Sequence, residues 1–526
     1  MKRKTKTESW EIVDINLEEV KKQIFKSKAI QDTVLQSGTN IDDEVDNLAR
    51  KIEKFSKDML KIAKIDDSYR PVLKNTENNT TIAFDYDPIK KSFNFLNSGG
   101  QGFLVFGKVP LDDADNQKHA YVTLRAYEKA SEDIKKPEHI GKPMVDLLRH
   151  KQTGTKLELK NMPACKIETY VDGKIGHLFP NGKCLVKMCI AKNEDSAHLV
   201  KREGVMQGLL HRNLAYMFAQ GKLDSKTSDW YYAVLEYVKV TQNLNFKDKF
   251  GAIEQVLTCI EEALLPAGIV HRDIKPDNIL TFRLKDVEKK WPKHITEKDK
   301  DPDGNQYKIC AKLTDTGLIK TLRQDAKTNQ TIKGLFLGTV DFAAPEDAAA
   351  ADSGDATHRP SWYGDLYSTG ASLYYYLTDF SPNQAENPDD TFSLFKNLAE
   401  GRFKILRPSE TKNLHSDLVR EYFGDEKRIK QVGYWIDLVI AGMMQREKKH
   451  RYCRISDCIK DLCAVKNGRE PVNIKNRAKQ LGMKEEDYIK AVFTHVQPNM
   501  PSNAYYDKEG AERRENGSWL RLLFGF

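Results

Sequence analysis

The sequence predicts an α+β protein in two parts, a β-rich portion followed by a helix-rich one, with helical segments at both ends. From about residue 92 short apolar runs alternate with glycine turns, the texture of antiparallel strands, and after about residue 245 the apolar spacing becomes helical. Near the N-terminus Ile41, Val45, Leu48, Ile52, Phe55, Met59 and Ile62 recur at spacings of four and three, the stripe of an amphipathic helix.

That stripe starts behind a helix-capping residue, Thr39 or Asn40, and a weaker helical pattern (Leu17, Val20, Ile24, Phe25) precedes it. Residues 1 to about 75 thus read as a helical hairpin that braces the next domain, with a partner-binding coil as the alternative. The N-terminal extension runs over 1–91, the β-rich lobe over 92–238, the helical lobe over 239–466 and a C-terminal helical extension over 467–526. Two stretches read as insertions: residues 109–175, of mixed polarity, and residues 285–306, whose run of Lys and Asp predicts an exposed, mobile loop. In the last extension KEEDYIKAVFTHV predicts a helix, and SWLRLLFGF is an apolar end expected to fold back on the lobes, with a partner or a membrane surface as the alternatives.

The chain has 526 residues, of which 40% are apolar and 30% charged, the balance of a folded globular protein. Its net charge of +8 is spread among acids and gathers into no basic stripe, which argues against nucleic acid as a partner. MKRKTKTESWEIVD lacks the apolar core of a secretion signal, and no apolar run is long enough to span a bilayer, so a cytoplasmic setting is expected. Cys453, Cys458 and Cys463 recur every fifth residue, which cannot bring all three to one helical face; reduced, packed thiols are expected.

The densest chemistry lies in IVHRDIKPDNIL, Ile269 to Leu280. Asp273 can take the proton of an attacking hydroxyl, Lys275 can neutralise charge growing on a transferred phosphoryl group, and Asn278 can offer an oxygen to a metal. Pro276 stiffens the loop between them. This stretch resembles the catalytic loop of the eukaryotic-type protein kinases, matching the HRDxKxxN pattern of their Ser/Thr branch. About 37 residues beyond Asn278, AKLTDTGLIK sets Asp315 after an apolar strand, and it is similar to the metal aspartate of the family's DFG motif, with Thr316 in place of the phenylalanine. GTVDFAAPED, with Thr339 and Glu346, resembles the substrate loop that closes the family's activation segment. By the same resemblance Arg451 is the partner of Glu346, and Asp365 in WYGDLYSTG is the buried acid that ties down the catalytic loop.

In the smaller lobe, LNSGGQGFLVFGKV resembles the glycine-rich turn over ATP phosphates, with Asn97, Gly99 and Gly102 at its key positions, the first of them a glycine in the family. VDGKIG, at Gly173 and Gly176, is a competing turn. Lys187 in CLVKMCI is the candidate phosphate anchor and is preferred to Arg125, because arginine fits a tight site poorly. Glu203, sixteen residues later, is its candidate partner. Leu235 would back the adenine pocket, and Glu236 to Val238 would form the hinge. Gly102 and Lys187 stand 85 positions apart, so an insertion separates them.

The resemblance covers about residues 92–465. It implies a bilobal protein kinase fold, an antiparallel-sheet lobe over a helical lobe, that transfers the γ-phosphate of ATP with Mg²⁺, or Mn²⁺ in its place, to Ser or Thr of protein substrates, itself included. Arg272 before the catalytic aspartate makes Thr321, Thr328 and Thr331 candidate sites of activating phosphorylation. The departures from pattern are similar to those of kinases that bacterial pathogens inject into host cells, where host proteins would be substrates, or that large viruses encode. An activator on the helical extensions is a further expected partner. The rival reading is a pseudokinase scaffold acting through its extensions; a small-molecule kinase is opposed by GTVDFAAPED.

Overall fold

The computed structural model describes parts of residues 64–108, residues 183–190, most of 211–265, residues 269–283, 300–314 and 320–321, most of 340–382, residues 405–494, and single positions in 46–54 and at 398–399. Among these residues the β-rich portion is one eight-stranded antiparallel sheet. Its strands are β1 (Lys64–Ile65), β2 (Pro71–Lys74), β3 (Thr81–Phe84), β6 (Phe95–Gly99), β7 (Gly102–Lys108), β8 (Lys183–Ile190), β9 (Met217–Lys222) and β10 (Trp230–Glu236), with β4 (Tyr86–Asp87) and β5 (Ser92–Phe93) forming a small hairpin beside it. The order is β1-β2-β3-β7-β8-β10-β9, and β6 also pairs with β7. β8 lies between β7 and β10, and one of its faces, Cys184, Val186 and Met188, is fully buried, while Lys187 stands on the other.

The start of this sheet corrects the expected domain boundary. Within the helical extension expected to end at 91, Lys64–Ile65, PVLK (Pro71–Lys74) and TIAF (Thr81–Phe84) are strands that join the sheet. Their runs are too short for periodicity to separate strand from helix, and pairing with β7 decides the matter. Of the helical stripe, only Asp46, Ala49, Arg50, Glu53 and Lys54 are described, all helical, with Ala49 buried. The seven stripe residues themselves lie outside the described residues, as do the insertion 109–175 and the terminal SWLRLLFGF.

The second portion is helical: α1 (Phe246–Cys259), α2 (Pro345–Asp352), α3 (Trp362–Thr378), α4 (Lys412–Glu421), α5 (Glu426–Met444), α6 (Ile455–Lys466), α7 (Val472–Gln480) and α8 (Glu485–Lys490). Asn245 caps α1, accepting from the Asp248 N–H at 2.8 Å while the Asp248 carboxylate accepts from the Asn245 N–H. α1, α3 and α5 are the buried centre of this lobe, and their apolar faces share one core. Short strands line its upper edge: β11 (Ile269–Val270) pairs with β14 (Lys320–Thr321), and β12 (Ile279–Arg283) with β13 (Ile309–Leu313).

Two further expectations are corrected. The lobe does not end at residue 466: Ile474, Ala478, Tyr488, Ile489 and Phe493 are buried in its core, and β16 (Phe493–Thr494) pairs in parallel with β15 (Ile405–Leu406). KEEDYIKAVFTHV accordingly splits into α8 and β16. The tail of the second insertion is ordered and packed: Asp301 is buried, its Oδ1 accepts from the N–H groups of Asp303 and Asn305, and Lys466 binds its Oδ2 at 3.1 Å. An acidic stretch reads as solvated in sequence, but Lys466, itself paired with buried Glu254 at 2.8 Å, supplies the opposite charge from 165 residues away. Among the described residues no helix is long and apolar enough to cross a membrane. Cys453 is exposed, while Cys458 and Cys463 are buried free thiols.

Candidate active site

The loop between β11 and β12 is built so that its polar groups converge. His271, fully buried, accepts from the Asp273 N–H through Nδ1 at 3.4 Å and donates from Nε2 to the Thr314 carbonyl at 3.1 Å, an arrangement that sets its tautomer. Arg272 adopts φ +73°, a left-handed backbone that costs a non-glycine residue about 1–3 kcal/mol. Asp365 on α3 holds that turn: its two carboxylate oxygens accept from the His271 N–H at 2.8 Å and the Arg272 N–H at 2.9 Å. Burial pushes the Asp365 carboxyl up to about 7, against the pull of those two N–H groups.

The turn aims Asp273, Lys275 and Asn278 at one point, the last two joined by a tight 3₁₀ turn at Pro276–Asn278. The Lys275 ammonium lies 3.2 Å from Asp273 Oδ2, and the Asn278 amide donates to that same oxygen at 3.1 Å and to the Asp273 carbonyl at 2.7 Å. All three side chains are buried. Since both of those contacts are made by the Asn278 Nδ2, its amide orientation is set and its oxygen points away from them. The Thr314 N–H donates to the Asn278 carbonyl at 2.9 Å, fastening the end of β13 to this turn. Asp315 is the next residue in sequence and lies outside the described residues.

On the sheet, Lys187 is half-buried on β8, in register with Leu104 of β7 and Ala233 of β10. Asn97 and Gly99 stand on β6 and Gly102 opens β7, with Gly99 opposite Gly102 and Asn97 opposite Leu104. Leu235 and Glu236 end β10, and Val238 follows, buried. Glu203, Thr339, Thr328, Thr331, Arg125, Gly173 and Gly176 lie outside the described residues.

Glu346, at the start of α2, meets Arg451 in a two-pronged pair, Nη1 to Oε1 and Nη2 to Oε2, both 2.7 Å. A second ion pair had no place in the sequence reading. Lys312 on β13 is fully buried, and its ammonium lies 2.8 Å from Glu236 Oε2, so the expected hinge is bonded to the strand that leads to Asp315. A lysine inside the apolar run ICAKL was the available signal, because such a residue is buried only with a partner. His271 was quoted in the motif, but its bridge to Thr314 depends on strands that meet only in the fold.

The protein kinase domain family model matches residues 182–462, over half of the chain. The chain is similar to the serine/threonine-protein kinase RAD53 of Saccharomyces cerevisiae, 28% identical over 188 residues that cover 33% of this chain and 19% of that protein. It is also similar to the serine/threonine-protein kinase DCLK3 of Mus musculus, 24% identical over 335 residues covering 56% of this chain and 37% of the relative. The chain thus spans well under half the length of these curated relatives. A solved structure, the autoinhibited serine kinase domain of the giant muscle protein titin, aligns over 82% of this chain and 86% of its own at 13% identity with a TM-score of 0.36.

Proposed function

This chain belongs to the protein kinase family, and from that premise we propose that it is an ATP- and magnesium-dependent enzyme that phosphorylates Ser or Thr of protein substrates, itself among them. The observation that carries the reading is the convergence of Lys275 and Asn278 on Oδ2 of buried Asp273. A hydroxyl placed against Asp273 would pass its proton to this carboxylate as it attacks, and Lys275 would balance the negative charge spread over the transferred group. Asn278 fits a metal ligand, because its amide nitrogen is engaged with Asp273 and its oxygen is the atom left to face a cation. Asp315 is the second proposed ligand. Mg²⁺, or Mn²⁺ in its place, supplies neutralisation of phosphate charge when bound.

Lys187, with Glu203 as its proposed partner, is the proposed anchor of the phosphates, with Asn97, Gly99 and Gly102 as their cover and the backbone from Glu236 to Val238 as the adenine edge's partner. A segment ending at Glu346 suits a peptide substrate, so proteins are the proposed substrate class. The names of the two relatives favour Ser and Thr over Tyr.

The test is labelling of the protein itself and of myelin basic protein with Mg·ATP, comparing wild type with Asp273→Asn and reading sites by mass spectrometry. Phosphoserine and phosphothreonine that fall by about a hundredfold or more in the variant are expected. If neither protein is labelled and ATP produces no thermal shift, the scaffold reading replaces this one.

A further inference from the structure

The N-terminal strands meet the sheet at a mechanically sensitive place. One edge of β7 pairs with β8 along its length, from Phe103 opposite Met188 to Lys108 opposite Lys183. The other edge is shared. β6 covers it only from Gly102 to Val105, with an irregularity between Phe95 and Asn97, and β3 takes over beyond: Phe84 stands opposite Gly107, Ala83 opposite Lys108, and the Asp85 N–H donates to the Phe106 carbonyl at 2.9 Å. Without β3, Phe106 to Lys108 would be held through β8 alone, with their other edge open.

The junction is closely packed. Ile82 and Phe84 are fully buried, and Phe84 meets the buried ring of Phe93 edge-on at 6.0 Å. Gly107 makes the approach feasible, since a Cβ there would lie 3.2 Å from the Ala83 carbonyl oxygen and 3.0 Å from Val186 Cγ2. β7 carries Gly102 at one end, and its Leu104 is in register with Lys187. Any shift of β7 is therefore passed to both the glycine turn and the lysine.

We infer that β3, through Phe84 and the Asp85 backbone, is a positioning element of the nucleotide site: it locks the far end of β7 so that the Gly99–Gly102 turn and Lys187 are held in place for phosphate. This rests on the ATP reading above.

The test uses the full-length chain and steady-state kinetics with Mg·ATP and myelin basic protein. Phe84→Ala is expected to raise KM for ATP about tenfold while kcat at saturating ATP stays within about twofold, and Phe84→Leu is expected to recover most of the loss. Asp85→Pro, which removes the N–H donor to Phe106 together with the Asp85 carboxylate and fixes the backbone there, is expected to raise KM for ATP about fivefold, with circular dichroism and urea unfolding of both variants separating a folding defect from this effect. An active wild type whose KM for ATP is unchanged in both variants overturns the inference, as does a fall in kcat with KM constant. A wild type that neither binds ATP nor labels protein overturns the kinase reading itself, and this inference with it.

Discussion

Arg451 and Glu346, 105 positions apart in the chain, form a bidentate ion pair in which the guanidinium also donates to the carbonyls of Tyr363 and Gln445. Arg451 is completely buried and lies over the Tyr367 ring at 5.1 Å. The start of α2 is thereby fixed to α3 and to the turn after α5.

Glu346→Ala leaves that guanidinium buried without its carboxylate, a change that costs about 3–5 kcal/mol. Urea unfolding should show the loss. Arg451→Lys, with Glu346 kept, should lose part of the same stability, because an ammonium cannot match both carboxylate oxygens. Equal stability of wild type and Glu346→Ala would show that the pair contributes nothing.

Lys312 and Glu236 offer a sharper contrast. Lys312→Met takes the ammonium from a carboxylate that is only 7% exposed and should destabilise the protein by about 3 kcal/mol while weakening ATP binding at the proposed hinge. Lys312→Met combined with Glu236→Leu should regain most of the stability, since an apolar pair of similar volume removes both desolvated charges. Calorimetry of the two variants checks this, and additive losses would contradict it.

Asp437 on α5 predicts a pH dependence. It accepts from the Ser409 N–H at 2.9 Å and from its hydroxyl at 2.5 Å, and burial pushes its carboxyl up to about 7 from 3.8. A carboxyl raised on folding favours the protonated native state. Its stabilising contribution is thus complete below the unfolded value and is lost as pH rises through about 7. Against Asp437→Asn, wild-type stability should fall by about 1.4 kcal/mol per pH unit between roughly pH 4.5 and 7 and then level off. A pH-independent difference between the two proteins would rule the assignment out.

Gly442 tests whether residues beyond 466 belong to the lobe. A Cβ there would clash with Ile474 Cδ1 on α7 and lie 2.8 Å from the Tyr452 ring. Gly442→Ala should improve helix propensity by about 1 kcal/mol yet destabilise overall by about 1–3 kcal/mol, because overpacking against a buried neighbour outweighs propensity. Limited proteolysis should then cut between Asn467 and Val472 faster than in wild type.

How much of this was legible beforehand follows from the range over which each signal acts. HRDIKPDN carries its chemistry within a few residues, so Asp273, Lys275 and Asn278 could be singled out before any fold was known, and the structure brings them together. Asp365 and Arg451 were reached by resemblance, and their partners lie where that resemblance implied. PVLK and TIAF carried too few residues to declare themselves, and the acidic turn at Asp301 looked solvated because Lys466 is remote in sequence.

The sequence by itself determined the family, the order of the two lobes and the residues of the candidate loop, because these rest on residue type and local spacing. The tertiary structure alone decided that Lys64–Ile65, Pro71–Lys74 and Thr81–Phe84 join the sheet, that the helical lobe runs on to Phe493, and that Lys312 answers Glu236. Each of those depends on which distant segment fills an open strand edge, covers an apolar face or neutralises a buried charge, and such choices are made only when the whole chain packs.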